Sequence, residues 1–270
     1  MSKTKSLGFA VVTGASSGLG AEFARQLAAR GYDLVLAARR RDRMEALGGE
    51  LHDKYGGEVH VMEVDLGSHD GPKRLAAFLD DKGVVPSLLV NNAGFGVHGL
   101  AIEEPVERQL DMVDLNVRAL TELALVLGAK MAARGSGAIL NVASTASFQP
   151  APYVAAYAAT KSYVLSFSQA LAWELAPRGV RVLALCPGAT KTEFFEAGSY
   201  HVSVSEALYM TSERCVTIGL RALDRGKTVV VAGLLNAIGA YLARIVPQWI
   251  AVAMSGRIMK PSTAALPPAR

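Results

Sequence analysis

The sequence contains little cysteine, little charge and few aromatic residues for its length. Only Cys186 and Cys215 occur among 270 residues, without metal-ligand spacing, so we expect reduced, buried cysteines and no bound metal. Charged residues make up 19% of the chain and hydrophobic residues 51%, a balance that excludes a disordered chain. The length suits one large α/β domain or two small ones, with a substantial core.

A strongly basic surface is also absent. The formal net charge is +4 with a pI near 9.1, and the basic residues are dispersed apart from Arg39, Arg40, Arg41 and Arg43. This pattern indicates no nucleic-acid partner, although the short basic run could hold a phosphate. The first six residues lack the apolar stretch and small-residue cleavage site of a signal peptide, so we expect a cytoplasmic location.

Short apolar runs alternate with helical patterns along most of the chain. Such alternation predicts an α/β, doubly wound Rossmann fold with a mostly parallel sheet and helices on both faces. We predict seven strands, at residues 9–12, 34–37, 59–64, 88–90, 138–142, 180–185 and 228–231. We find no repeat or domain boundary, so residues 1–233 are predicted to form one domain, with a C-terminal helical extension at 234–270.

The first predicted strand leads into a glycine-rich turn. The spacing is G-x-x-x-G-x-G, a variant of the dinucleotide fingerprint G-x-G-x-x-G. Glycines allow a tight turn and close approach to a pyrophosphate, and the following helix presents its N–H groups to that anion. The candidate cofactor-binding residues of this turn are Gly14, Ser16, Ser17, Gly18, Leu19 and Gly20.

The end of the second predicted strand indicates which dinucleotide binds. An acidic residue there would bind the ribose 2′-hydroxyl of NAD, whereas an arginine accepts the 2′-phosphate of NADP. The chain has Ala38, Arg39 and Arg40 at this place and no acid. We therefore predict NADP(H) as the cofactor, with Arg39 as the main phosphate contact.

Tyr157 and Lys161 are four residues apart in a segment with helical periodicity, 154–175. Residues at this spacing are neighbours on a helix surface. A nearby positive charge favours the phenolate, so we expect Lys161 to lower the Tyr157 pKa from its ordinary value near 10. That shift would make the tyrosine a proton donor and acceptor near neutral pH.

With these motifs, the chain resembles the short-chain dehydrogenase/reductase family over about residues 7–233. The resemblance rests on the glycine turn, on Tyr157 and Lys161, and on further residues in the same order along the chain. These are Asp65, Leu66, Asn91, Asn92, Ala93, Gly94, Asn116, Ser144, Pro187 and Gly188.

The resemblance implies a cofactor role for several residues at strand ends. Asp65 and Leu66 would cap the adenine. Thr190 or Thr192 would hold the carboxamide or a phosphate, and Lys161 would bind the nicotinamide ribose. The remaining residues would line the cofactor groove; they are Asn92, Ala93, Gly94, Pro187 and Gly188.

The resemblance also implies a catalytic set of four residues. Tyr157 would be the general acid, Ser144 would hydrogen-bond the substrate oxygen, and Lys161 would lower the Tyr157 pKa. Asn116 would help to hold a water connected to Lys161. Taken singly, Ser144 could instead be a turn cap, Asn116 a buried group that satisfies the backbone, and Lys161 a solvated side chain.

The loops after the fourth, fifth and sixth strands are expected to select the substrate. They are largely apolar or aromatic and contain no arginine cluster, which favours a hydrophobic ketone, aldehyde or secondary alcohol. We expect a mobile lid at about residues 193–212 and ordinary loop roles for His98 and Ser147. The loop residues are Phe95, Gly96, Val97, His98, Phe148, Gln149, Pro150, Tyr153, Phe194, Phe195 and Tyr200.

We expect an NADP(H)-dependent carbonyl reductase or alcohol dehydrogenase. Two alternatives stay open, a non-enzymatic NADP(H)-binding regulator and a membrane-surface dehydrogenase of lipids, steroids or retinoids. The extension at 234–270 could cover the pocket, form a subunit contact or rest on a membrane. A homodimer through the helices at 105–133 and 154–176 is favoured over a tetramer.

Overall fold

A computed structural model describes residues 6–190 and 209–261. Most of the predicted lid therefore lies outside the described residues. The same holds for four residues expected near the substrate and cofactor, namely Thr192, Phe194, Phe195 and Tyr200.

The described residues contain a seven-stranded sheet in the order β3-β2-β1-β4-β5-β6-β7, and each pair of neighbouring strands is parallel. The predicted doubly wound Rossmann fold is confirmed. The strand order reverses between β1 and β4, and ligands bind at the carboxyl ends of strands at such a point. The strands are β1 Phe9–Thr13, β2 Asp33–Ala38, β3 Val59–Glu63, β4 Leu88–Asn91, β5 Gly137–Val142, β6 Val180–Cys186 and β7 Val229–Val231.

Helices pack on both faces of this sheet. On β1, Val12 contributes to one apolar layer and Val11 to the other, because successive strand residues point to opposite faces. Each layer is closed by the buried stripes of helices. These are α1 Gly18–Ala29, α2 Arg41–Tyr55, α3 Gly71–Asp81, α5 Leu120–Arg134, α6 Ala155–Leu175 and α7 Ser212–Asp224. The short helix α4 Val106–Val113 packs against α6 instead, with Met112 in a separate apolar cluster.

The long helix predicted at 105–133 is interrupted. A π-helical segment, Asp114–Ala119, separates α4 from α5 and contains the fully buried Asn116. Such segments insert one residue into the helical repeat and are frequent at functional sites.

The C-terminal extension forms two helices, α8 Leu234–Ile245 and α9 Gln248–Met259. Pro247 precedes α9 and ends the α8 hydrogen-bond pattern because it has no N–H group. Ala240 of α8 packs into an apolar cluster that contains Val231 of β7. In the described part of the chain, none of the helices is long and apolar enough to cross a membrane.

Candidate active site

Hydrogen bonds fix the carboxyl ends of β1 and β4 against each other. Thr13 Oγ1 accepts from the backbone N–H groups of Asn92 and Ala93, each at 3.0 Å, and donates to Val90 O at 3.2 Å. The Asn92 amide donates to Thr13 O at 2.9 Å. These bonds join the ends of β1 and β4, where the strand order reverses, and they position the backbone that lines the crevice.

The glycine-rich turn lies directly against this crevice. Gly14 has φ +66°, and a Cβ at this residue would lie 2.9 Å from Ala93 Cα. A Cβ at Gly20 would overlap the carbonyl oxygen of Gly14. The turn thus needs glycine both for its left-handed backbone and for its close packing. This geometry fits the pyrophosphate-binding role predicted from the sequence.

The N-terminus of α1 points into the same turn. Ser17 occupies the N-cap position, but its side chain does not cap the helix, and the first turn contains no acidic residue. Because free N–H groups and the helix dipole attract anions, this end of α1 suits a phosphate.

Both arginines after β2 lie at the crevice, and they differ in their contacts. Arg40 donates to Ser16 Oγ at 3.2 Å and to Ser17 Oγ at 2.6 Å. Arg39 lines the cleft and is exposed. The sequence predicts Arg39 as the main phosphate contact and gives no role to Arg40. The position of Arg40, directly after Arg39, was the signal that it also lies at the crevice. The structure therefore adds Arg40 as the residue that braces the glycine-rich turn.

One cleft of about 470 Å³ contains nearly the whole predicted site. It runs along the carboxyl ends of the central strands, as expected for an open α/β sheet. Of the predicted cofactor and catalytic residues, those that line it are Gly14, Ser16, Ser17, Gly18, Leu19, Arg39, Asp65, Leu66, Asn92, Ala93, Gly94, Ser144, Tyr157, Lys161, Pro187, Gly188 and Thr190.

Two predicted residues lie just behind the cleft wall. Gly20 and Asn116 are buried and do not line the cleft. Thr190 lines it, and its hydroxyl donates to Gly188 O at 3.0 Å. A role of Thr190 in holding the carboxamide or a phosphate stays a prediction.

The phenol of Tyr157 and the ammonium of Lys161 are both buried, on α6. Burial raises the Tyr157 pKa to about 12, and a hydrogen bond with Ser144 opposes this shift. The Tyr157 pKa is therefore raised and not lowered from its ordinary value as expected, because desolvation of the phenolate is the largest effect. Tyr157 stays protonated at neutral pH, which suits a proton donor.

The pKa of Lys161 is shifted in the opposite direction from that of Tyr157. Burial lowers its pKa to about 8, with the nearby Cys186 acting in the opposite direction. Its Nζ donates to Val142 O at 2.9 Å and lies 5.8 Å from the centre of the Tyr157 ring. At neutral pH the ammonium form predominates, so a positive charge lies beside the Tyr157 phenol.

A short 3₁₀ helix, Thr145–Phe148, positions Ser144 opposite Tyr157. Ser144 is its N-cap and accepts from Ala146 N at 3.1 Å. Ser147 accepts from Ser144 N at 3.2 Å and donates to Lys161 O at 2.8 Å. Ser147 is buried rather than an ordinary loop residue. It joins the turn that carries Ser144 to the helix that carries Tyr157 and Lys161.

Asn116 fixes the loop after β4. Its amide donates to Phe95 O at 2.9 Å and to Thr160 Oγ1 at 3.2 Å, and its Oδ1 accepts from Phe95 N at 3.1 Å. A Cβ at Gly94 would lie 2.7 Å from Asn116 Oδ1 and 3.5 Å from Lys161 Nζ. Asn116 thus packs beside Lys161 and hydrogen-bonds both backbone groups of Phe95. Its role in holding a water stays a prediction.

The substrate end of the cleft is mostly apolar. Its walls combine the loop after β4, the loop after the 3₁₀ helix and the end of α9. The residues that line it there are Phe95, Ala146, Gln149, Ala151, Val154 and Met259. Val97 and Phe148, which were expected near the substrate, are buried in apolar clusters instead.

The end of α9 is held at the cleft by His98. His98 is buried, and its Nε2 lies 2.7 Å from Met259 O. Ser255 on the same helix donates to Pro150 O at 2.9 Å. His98 is therefore an anchor for the C-terminal extension, and the extension contributes to the pocket. No local pattern in the sequence could have indicated a contact between residues so distant in the chain.

Comparisons with known proteins agree with this geometry. A sequence profile for the family described as short chain dehydrogenase matches residues 8–201. The chain is 38% identical over 181 residues to a very-long-chain 3-oxoacyl-CoA reductase of Podospora anserina, covering 64% of this chain and 52% of that protein. The chain thus spans about half the length of that relative.

Two solved structures share most of this fold. A short-chain dehydrogenase from Sphingobium yanoikuyae in complex with NADPH is 33% identical, with a TM-score of 0.80 and coverage of 90% of this chain and 97% of that one. A bulky-bulky ketone specific alcohol dehydrogenase from Comamonas testosteroni is 31% identical, with a TM-score of 0.77 and coverage of 90% and 96%. The chain belongs to the short-chain dehydrogenase family.

Proposed function

We propose that this protein is an NADP(H)-dependent reductase of apolar ketones, with 3-oxoacyl thioesters as the substrate class. The observation that carries this proposal is the position of the Tyr157 phenol, buried between Ser144 and Lys161 at the junction of the cofactor groove and an apolar pocket. A protonated phenol at that junction can donate to a carbonyl oxygen as it becomes an alkoxide.

The cofactor is NADP(H), and it supplies the hydride. The glycine turn and the N-terminus of α1 suit its pyrophosphate, while Arg39 at the end of β2 suits its 2′-phosphate. The Sphingobium yanoikuyae structure in complex with NADPH supports this assignment.

The protein side chains would handle the proton and the developing charge. Ser144 orients the carbonyl oxygen and stabilises the charge that develops on it. Tyr157 donates its proton to that oxygen, and the Lys161 ammonium stabilises the resulting phenolate. In the reverse direction the phenolate accepts the proton of the alcohol.

The substrate class follows from the pocket and the relatives together. The pocket walls are apolar at Phe95, Val154 and Met259, so an alkyl chain would bind there with its surface removed from water. The 3-oxoacyl-CoA reductase of Podospora anserina supports a 3-oxoacyl thioester, and the Comamonas testosteroni enzyme supports bulky ketones as a second class.

A substrate panel tests this proposal. NADPH absorbance would be followed with short, medium and long 3-oxoacyl-CoA esters, aryl ketones and steroidal ketones. We expect the highest kcat/KM with long 3-oxoacyl-CoA esters. Turnover only with aryl or steroidal ketones would contradict the thioester class, and NADPH binding without any turnover would favour the non-enzymatic regulator.

A membrane-surface location is a second candidate, and the surface of the C-terminal extension favours it. Leu234, Leu235, Ile245 and Trp249 are all more than 70% exposed, and the chain has no acidic residue after Asp224. Exposed apolar groups with basic residues suit an anionic lipid surface.

Sedimentation with liposomes separates this location from the cytoplasmic one that the sequence predicts. A membrane-surface enzyme would sediment with anionic vesicles, and the Leu235→Glu, Ile245→Glu double variant would stay in the supernatant while still reducing soluble substrates. Wild-type protein in the supernatant at low salt would exclude the membrane candidate.

A further inference from the structure

Arg118 makes contacts that neither the catalytic residues nor the arginines after β2 account for. It belongs to the π-helical segment Asp114–Ala119, yet its side chain binds the loop after β3. Its Nη2 donates to Gly67 O and to Ser68 O, each at 2.8 Å, and its Nη1 donates to His69 O at 3.4 Å. One guanidinium therefore holds three consecutive carbonyl groups of a single turn.

Acidic side chains keep the Arg118 guanidinium in this place. Its Nε donates to Asp114 Oδ1 at 2.8 Å, and its Nη1 lies 3.7 Å from Glu122 Oε2. A guanidinium has five N–H groups in a planar fork, so it can bind a carboxylate on its own helix and a distant loop at the same time. The compact ammonium of a lysine cannot span these groups.

The turn that Arg118 binds also fixes Asp65. Gly67 N donates to Asp65 Oδ1 at 2.9 Å, and Ser68 Oγ donates to Asp65 O at 2.7 Å. Asp65 and Leu66 line the cleft, whereas Arg118 does not. Arg118 therefore acts on this wall of the cleft through the backbone of the turn.

The strand order places this wall beside the adenosine half of the cofactor. β3 pairs with β2, and Arg39 after β2 suits the 2′-phosphate, which the adenosine ribose carries. The reacting end of the cleft lies on the other side of β1, where Ser144 follows β5. The adenine is therefore expected against Asp65 and Leu66.

We infer that Arg118 is a positioning residue for the adenine of NADP(H), because it holds the turn after β3 in one conformation before the cofactor binds. Without Arg118 the cofactor must order that turn on binding, which lowers its affinity. The inference rests on the NADP(H) part of the proposed function and is independent of the ketone. The same π-helical segment carries Asn116, which binds Phe95 after β4, so this segment holds loops on both sides of the cleft.

Calorimetric titration of the full chain with NADPH, NADH and 2′,5′-ADP tests the inference. The last ligand contains the adenine and the 2′-phosphate without the nicotinamide. We expect Arg118→Ala to raise the Kd of all three ligands by a similar factor, about tenfold to hundredfold, the cost of ordering one or two residues. Arg118→Lys keeps the charge but not the fork of donors, so it is expected to recover only part of the affinity.

Arg134→Ala is the matched control. Arg134, the last residue of α5, donates to Val85 O at 2.7 Å and to Pro86 O at 2.8 Å, in the loop before β4. This change also removes one positive charge and two carbonyl contacts, but at the opposite edge of the sheet and away from the cleft. We expect it to lower the melting temperature as Arg118→Ala does and to leave the three Kd values unchanged. A merely structural role of Arg118 would give the same result as this control.

Three results would overturn the positioning role of Arg118. They are an unchanged Kd of 2′,5′-ADP in Arg118→Ala, full recovery in Arg118→Lys, which would assign the effect to charge alone, and a loss of NADPH affinity without a loss of NADH affinity, which would assign Arg118 to the 2′-phosphate. If Arg118→Ala does not fold, Arg118→Lys is compared with wild type, and a Kd of 2′,5′-ADP raised about threefold to tenfold is expected. Wild-type affinity of that variant would contradict the inference. A wild-type protein that binds none of the three ligands would contradict the NADP(H) assignment itself, and the inference with it.

Discussion

Tyr157 and Lys161 are the two residues that we propose to handle the proton, and burial shifts their pKa values in opposite directions. Desolvation disfavours the charged form of each group, so the pKa of Tyr157 rises and that of Lys161 falls. A phenol that is fully protonated lies beside an amine that is still largely charged at neutral pH. This arrangement favours donation of a proton in the direction of reduction.

The Lys161 pKa gives a pH dependence with a definite sign. Its pKa is lowered from 10.5 to about 8, so the stabilising ammonium is present below that pH and is lost above it. We therefore expect kcat/KM for ketone reduction to be flat on the acid side and to fall as pH rises through about 8. The measurement is a pH profile at saturating NADPH.

Lys161→Arg is the matched variant for this profile because a guanidinium stays charged throughout the range. Its residual activity is expected to lack the decline. A wild-type profile that stays flat far above pH 8 would contradict the assignment of the Lys161 pKa.

The two arginines after β2 are expected to act differently on cofactor binding. Arg39→Ala removes the predicted contact to the 2′-phosphate, so the Kd of NADPH is expected to rise about tenfold to hundredfold with little change for NADH. Arg40→Ala removes the brace on Ser16 and Ser17, so it is expected to weaken both cofactors. Fluorescence titration of each variant with NADPH and with NADH measures the four dissociation constants.

An equal loss of NADPH and NADH affinity in Arg39→Ala would show that another residue binds the phosphate. A selective loss of NADPH affinity in Arg40→Ala would exchange the roles of the two arginines.

Several residues that the sequence placed at a common site do line one cleft in the structure. Gly14, Asn92, Ser144, Tyr157 and Lys161 were predictable because each belongs to a local motif at the end of a predicted strand or on a predicted helix. Ser144 and Asn116 also perform the ordinary structural roles that they could have had alone, as a turn cap and as a group that satisfies the backbone. These structural roles leave the catalytic roles of the two residues as predictions.

The elements that the sequence did not predict depend on long-range packing. The contact of His98 with the end of α9 joins residues 161 positions apart, and periodicity reports only neighbours along one element. The π-helical segment at Asp114–Ala119 likewise has no compositional signature. The pKa of Tyr157 was mispredicted for the same reason, since the i, i+4 spacing gives proximity but not burial.

The α9 helix is expected to contribute to substrate binding without affecting the cofactor. His98→Ala removes the hydrogen-bond partner of Met259 O and loosens the wall that Met259 forms. The KM for long apolar substrates is expected to rise about threefold to tenfold, because one hydrogen bond contributes about 1 kcal/mol. The Kd of NADPH is expected to stay unchanged, as measured by titration.

His52→Ala is the control for this prediction. His52 also contacts a backbone carbonyl, Gly57 O at 2.9 Å, but it lies on α2 and does not line the cleft. Unchanged KM values in His98→Ala, or an equal effect of His52→Ala, would contradict a role of α9 in the pocket.

Both tryptophans of the chain are largely exposed, on two different helices. Trp173 on α6 is 81% exposed and Trp249 on α9 is 73% exposed. Large exposed aromatic residues are typical of interaction sites. The dimer predicted through the long helices would bury Trp173, whereas a membrane contact or another contact of the extension would involve Trp249.

Trp173→Glu is therefore expected to convert a dimer to a monomer, and the matched Trp249→Glu to leave the dimer intact. Multi-angle light scattering gives the masses of the three proteins. A tetrameric wild type would contradict the dimer prediction, and dissociation by Trp249→Glu alone would place the subunit contact on the extension.

The general acid assignment of Tyr157 is the central claim, and Tyr157→Phe tests it most directly, because this change removes only the hydroxyl. NADPH oxidation with a long 3-oxoacyl-CoA ester would be compared between wild type and the variant, with the NADPH Kd measured in parallel. We expect turnover to fall about a hundredfold to ten-thousandfold, with the Kd nearly unchanged. Normal turnover by Tyr157→Phe would contradict the account.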